Sequence, residues 1–212
     1  MSEIERIKQA RIVPVIRKAN LENIVPITTA LVKGGIQAIE ITAETPRVGE
    51  LIQKVKENVS DELMVGAGTV LDPETARQLM LAGAEFIVSP SLNTETIRMA
   101  NRYGIPCIPG ALTPTEILTA YEAGANMVKV FPAHTFGPHY IKNIKGPLPH
   151  VSVMATGGIH LENMMDYFEN GAEVVGIGSQ LVNATKLTTE EDYQNLETLA
   201  GSYKEKIAEM ND

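Results

Sequence analysis

Two residues stand out because their charge does not suit their surroundings. Lys129 lies in MVKVFP, residues 127–132, and Glu40 lies in AIEIT, residues 38–42, so each charge is set among apolar neighbours. Burying an unpaired charge costs several kcal/mol, so such residues are either halves of a structural ion pair or reactive groups. A lysine removed from water is a good nucleophile, because its free amine can add to a ketone and form a Schiff base. The iminium then draws electrons from the neighbouring carbon. A carboxylate within reach can move protons during imine formation and at that carbon. Together, Lys129 and Glu40 describe the chemistry of a metal-independent aldolase.

A second constellation is built from glycine. Thr156-Gly157-Gly158 and Gly176-Ile177-Gly178-Ser179 each end an apolar run, the latter just before a short helical start. Turns of this kind can offer backbone N–H groups to a phosphate. They also serve as plain tight turns that need glycine for conformation alone.

These groups act together only if the fold gathers them. One phrase recurs along the chain, a helical stretch closing in glycine followed by a short apolar run: GGIQAIEIT, GAEFIVSP, GIPCIPG, GANMVKVFP and GAEVVGIGS. The glycines at 35, 83, 104, 124 and 171 are separated by 48, 21, 20 and 47 residues, so each wide interval has room for one more unit. LMVGAGTV and VSVMATGG fill those intervals, and RIVPVI at the front makes eight strands. The helices have their own signals. Thr45-Pro46, Asp72-Pro73 and Thr113-Pro114 each read as an N-cap with proline at the first helical position, and Thr113 to Glu116 fits a capping box. Val48, Leu51, Ile52 and Val55 share one helical face.

Nearly continuous apolar strands alternating with helices require a parallel sheet buried on both sides. Eight minimal units in 212 residues predict a (β/α)8 TIM barrel as a single domain over residues 1–212. SEIERIKQA, with Ser2 and Glu5 as a capping pair, predicts an extra N-terminal helix. A doubly wound sheet is the competing architecture, but no G-x-G-x-x-G opens its first helix. In a barrel the C-terminal strand ends meet at one face. They carry Arg17, Glu40 with Thr42, Thr69, Ser89 with Pro90, Lys129 with Phe131 and Pro132, Thr156, and Ser179. Alternation turns Met127, Lys129 and Phe131 to one side of their strand and Val128 and Val130 to the other. Lys129 and Glu40 are therefore expected to point inward.

Other classes fit less well. The net charge of −8, from 26 acidic and 18 basic residues without a basic block, gives no nucleic-acid footprint. No stretch approaches the roughly 20 apolar residues of a membrane span, and no signal core opens the chain, so a cytoplasmic protein is expected. Cys107 in IPCIP reads as a buried inert thiol. His134, His139, His150 and His160 lack metal-ligand spacing, so no metal is expected; His134 and His139 follow the sixth strand closely enough to border the mouth.

The segments VPVIR, GGIQAIEIT, VGAGTVL, AEFIVSP, GANMVKVFP, FGPHYIK, ATGGI and GIGSQLV resemble the 2-keto-3-deoxy-6-phosphogluconate (KDPG) and 4-hydroxy-2-oxoglutarate (KHG) aldolase family over nearly the whole chain. The resemblance implies a homotrimeric barrel with no cofactor, in which Lys129 forms the imine with a 2-oxo acid and Glu40 transfers protons. It further implies that Thr69 holds the pyruvyl group, that Pro90 and Phe131 line the pocket, and that Gly157, Gly158 and Ser179 hold a phosphate, with Thr156 and Gly178 completing those turns. The sequence departs from the family where an arginine commonly follows the glutamate segment, because Glu44 stands there. Arg17, at the end of strand one, is expected to replace it as the carboxylate clamp, with Glu44 turned away. The expected activity is cleavage of KDPG to pyruvate and glyceraldehyde 3-phosphate, or of KHG to pyruvate and glyoxylate. The alternatives are the galactonate epimer of KDPG as substrate, a phosphosugar isomerase or epimerase on the same barrel, and a silent barrel that only binds a phosphorylated ligand.

Overall fold

The computed structural model describes residues 1–209. Its parallel strands are β1 (Ile12–Ile16), β2 (Ala38–Thr42), β3 (Met64–Gly68), β4 (Ile87–Val88), β5 (Cys107–Ile108), β6 (Gly110–Ala111), β7 (Val128–Val130), β8 (Val153–Thr156) and β9 (Val174–Ile177). They are ordered β5-β4-β3-β2-β1-β9-β8-β7-β6. The predicted fifth strand is present as two halves, β5 and β6, divided at Pro109, which has no N–H to give to a ladder. β5 pairs with β4 and β6 pairs with β7, while the Lys129 N–H donates to the Pro109 carbonyl at 2.8 Å across the join. The sheet thereby closes into the expected (β/α)8 barrel.

Alternation sorts the strand residues into two buried layers. Ile39, Ile41, Val128 and Val130 face outward into the core shared with the helices. Val13, Ala38, Met64, Phe86, Met127, Met154 and Val174 face inward and fill the lower barrel. Ile7 and Ala10 join that inner cluster from helix α1 (Glu3–Ala10), so the extra N-terminal helix plugs the end opposite the mouth. Ser2 caps it, its hydroxyl accepting from the Glu5 N–H at 3.4 Å.

The helices that follow are α2 (Ile24–Lys33), α3 (Val48–Asn58), α4 (Pro73–Leu81), α5 (Thr94–Arg102), α6 (Pro114–Glu122), α7 (Pro138–Lys145), α8 (Met164–Glu169) and α9 (Glu190–Ala208). Asp72 caps α4, and Thr113 caps α6 in a full capping box with Glu116. The third predicted cap differs. α3 begins after Arg47, whose φ is 62°, and not after Thr45. The Thr45 hydroxyl is engaged elsewhere, accepting from the Lys18 N–H at 3.2 Å. The helical start after the last strand is a single turn, with the Leu181 and Val182 N–H groups both donating to the Gly178 carbonyl.

Glycines set the clearances inside this wall. A Cβ on Gly66 would stand 2.3 Å from the Phe86 ring, and one on Gly110 would stand 2.3 Å from the Pro90 carbonyl carbon. A backbone atom cannot swing aside as a side chain can. Gly110→Ala is expected to destabilise the protein by about 1–3 kcal/mol, read as a lower denaturant midpoint; an unchanged midpoint would mean that the backbones at Pro90 and Gly110 move apart freely.

Candidate active site

Lys129 and Glu40 meet inside the upper barrel, as strand alternation requires. Lys129 Nζ lies 3.9 Å from Glu40 Oε1, and the residues are 3% and 1% exposed. That separation is an ion pair without a direct hydrogen bond, so an atom bound between the two groups could engage both. Gly68 gives the carboxyl its place, since a Cβ there would lie 2.9 Å from Glu40 Cδ. The Phe131 ring centre is 5.0 Å from the amine and forms one wall of the site. Two buried oxygens, Glu40 Oε2 and Thr156 Oγ1, have no hydrogen-bond partner among the described residues. Buried acceptors are normally satisfied, so both are open to the polar atoms of a bound molecule.

Burial pushes the Glu40 carboxyl above the usual carboxylate range. Lys129 and then Arg17 act against that shift, while Glu44 adds to it. The carboxyl is thus inclined toward the protonated form, able to give a proton as well as take one.

The remaining predicted residues ring the same end. Thr69 follows β3 with φ 55° and is half-buried, as is Pro90, which backs Gly110 opposite the Lys129 register position. Thr156 is the next inward residue above the level of Lys129, β8 and β9 pairing it with Gly176. Gly157 and Gly158 take φ of 102° and 72°, which favour glycine. His134 seals this turn: its N–H donates to the Gly157 carbonyl at 3.1 Å, and its Cβ is 2.6 Å from where a Gly158 Cβ would be. His134 therefore does border the mouth. Gly178 is half-buried and Ser179 exposed in the neighbouring turn.

One expectation fails. Glu44 does not turn away, because its Oε1 accepts from Arg17 Nη1 at 3.4 Å, both side chains being about half-exposed. Cys107 sits in the outer core, where burial pushes its thiol up to about 12, and a thiol so hard to ionise is a poor nucleophile. Among the described residues no group of three or more His, Cys, Asp or Glu side chains is placed to hold a metal ion, and no helix is long and apolar enough to cross a membrane.

A family model for KDPG and KHG aldolase matches residues 4–199. The chain belongs to that family. It is accordingly a carbon–carbon lyase, and the isomerase and silent-barrel alternatives give way. This aldolase is 37% identical over 179 residues to 2-dehydro-3-deoxy-6-phosphogalactonate aldolase of Escherichia coli, covering 84% of this chain and 87% of that one. It is 35% identical over 203 residues to 2-dehydro-3-deoxy-phosphogluconate aldolase of Pseudomonas aeruginosa, covering 95% and 91%. Its fold matches that of KDPG aldolase from Legionella pneumophila, captured with pyruvate as a covalent carbinolamine, with a TM-score of 0.88 and 29% identity over 96% of this chain and 98% of that one.

In this aldolase the charges around Glu40 have opposed signs and should be separable. Carboxyl-carbon NMR is expected to find Glu40 titrating above the ordinary carboxylate range. Arg17→Ala should move the titration higher and Glu44→Gln should move it lower. A Glu40 titrating in the ordinary range would contradict its burial as the governing cause.

Proposed function

We propose that the protein is a class I aldolase acting in the cytoplasm without a metal cofactor, with Lys129 as the imine-forming amine. The observation that carries this reading is the buried Lys129–Glu40 pair at 3.9 Å, with Phe131 beside the amine. The Lys129 amine adds to the C2 ketone of a 2-keto-4-hydroxy acid to form a carbinolamine. Glu40 gives its proton to the departing hydroxyl, and water and the iminium result. With Glu40 now a carboxylate, the C4 hydroxyl loses its proton to it, the C3–C4 bond breaks, and its electrons pass into the iminium as an enamine. The aldehyde leaves. The enamine takes a proton at C3, and hydrolysis of the new iminium releases pyruvate and the free amine. The raised Glu40 carboxyl suits both proton transfers.

Around this centre, Thr69, Pro90 and Phe131 contact the pyruvyl part and Arg17 binds its carboxylate. Thr156, Gly157, Gly158, Gly178 and Ser179 receive the phosphate of the far end, a role supported by the positive φ of Gly157 and Gly158, since turns of this kind can offer backbone N–H groups to an anion. KDPG is the proposed substrate, with KHG as a second one lacking the phosphate. The galactonate epimer is a second reading, raised by the E. coli enzyme of that name at 37% identity, which stands level with the phosphogluconate aldolases at 35–38%. The ratio of kcat/KM for the two epimers decides between them. A homotrimeric assembly is part of the proposal, supported by the family resemblance.

Borohydride added in the presence of pyruvate is expected to leave a stable adduct on the peptide bearing Lys129, and none after Lys129→Ala; an adduct elsewhere, or none in the parent, would sink the imine reading. Arg17→Ala is expected to raise KM for 2-oxo acid substrates by about tenfold or more while leaving kcat within a few-fold. An unchanged KM would remove Arg17 from the site.

A further inference from the structure

Arg17 and Glu44 stand on adjacent loops whose backbones the fold ties together. They follow β1 and β2, which run side by side with Val15 opposite Glu40 and Ile16 opposite Ile41. The residues on either side of each are tied together by two buried hydroxyls. The Thr42 hydroxyl donates to the Ile16 carbonyl at 3.4 Å and shares a hydrogen bond with the Thr45 hydroxyl at 3.2 Å. The Thr45 hydroxyl in turn accepts from the Lys18 N–H at 3.2 Å. Ile16 and Lys18 bracket Arg17, and Thr42 and Thr45 bracket Glu44. Thr42 and Thr45 are 0% and 2% exposed, so this brace lies in the wall of the barrel while the charged pair stands above it.

An arginine with half its surface in water samples many rotamers, and a substrate that must be gripped by it loses affinity for every wrong one. The Glu44 contact engages Nη1 alone and leaves the rest of the guanidinium fork for a second anion. We propose that Glu44 is a positioning residue, held by the Thr42–Thr45 brace, that points the free edge of Arg17 at the carboxylate of a 2-oxo acid bound on Lys129. This rests on the reading of Arg17 as the carboxylate clamp. An acid at this position then complements the arginine on the neighbouring strand, and the two act as one unit.

The test uses pyruvate as the probe and borohydride trapping on Lys129 as the signal, with half-saturating pyruvate and plateau rate measured separately. Glu44→Ala is expected to raise the half-saturating concentration by about fivefold, the ceiling for a half-exposed ion pair, at an unchanged plateau. Glu44→Gln keeps the acceptor and should stay within about twofold of the parent. With Arg17→Ala already present, Glu44→Ala should add nothing further. If Arg17→Ala itself leaves half-saturation unchanged, the clamp reading fails and the proposal with it. If Arg17→Ala weakens pyruvate and Glu44→Ala does not, the clamp stands and the positioning role is overturned. A lower half-saturating concentration in Glu44→Ala overturns it too, because Glu44 would then be competing with substrate for Arg17. So does a Glu44→Ala effect that persists without Arg17.

Discussion

The constraint on which this structure turns is the burial of an amine and a carboxyl in one barrel. Moving an ion out of water costs several kcal/mol even after relaxation, a large part of the about 5–15 kcal/mol that holds a domain together. Such a cost is tolerated where the walls leave the pair no alternative. Lys129 is fixed at its backbone by the Pro109 carbonyl, and Glu40 is hemmed by its neighbours on β1 and β3. Neither group can leave the barrel interior without opening the sheet, and each meets solvent only through the mouth. The pair stands 3.9 Å apart, beyond hydrogen-bond reach, and Glu40 Oε2 has no hydrogen-bond partner among the described residues.

The two ends of the barrel divide the labour. Met64, Phe86, Met127 and Met154, closed off by Ile7 and Ala10 of α1, make the lower half dry and dense. Polar inward positions begin only one layer up. This gradient gives the upper half a rigid floor and leaves it a single open side, so that a ligand enters from the strand ends and meets the ionisable groups at the end of its path. Unlike the floor, the rim is made of loops, where Arg17, Glu44 and His134 sit on connections that can vary without disturbing the core.

Much of this was legible in the sequence because strand chemistry is local. The eight apolar runs, their alternation and the two misplaced charges sufficed for the barrel and for the facing of Lys129 and Glu40. Asp72 and Thr113 signal their helices because a cap is decided within four residues. Thr45 carries the same signature, yet its hydroxyl is recruited by Thr42 and by the backbone of the neighbouring loop, a competition that only the tertiary fold creates. The same holds for Glu44: its sequence position suggests a side chain turned away from the site, and the partner that holds it lies 27 residues away. Pro109 in IPCIPG could have announced the divided strand, since a proline within a strand interrupts its ladder. The spacing of glycines in VGAG also held information, because Gly66 and Gly68 fall on inward positions and leave room for Phe86 and Glu40.

Those inward glycines set a limit on how such a site can diversify. At Gly66, Gly68, Gly110 and Gly176 the inward-facing position is already as small as the genetic code allows, and any Cβ would meet a neighbour at 3 Å or less. The chamber around the amine can therefore be neither widened by trimming these positions nor narrowed by filling them. Lineages that acquire new substrates on this scaffold must do so at the rim, keeping the reaction constant while the molecule presented to it changes.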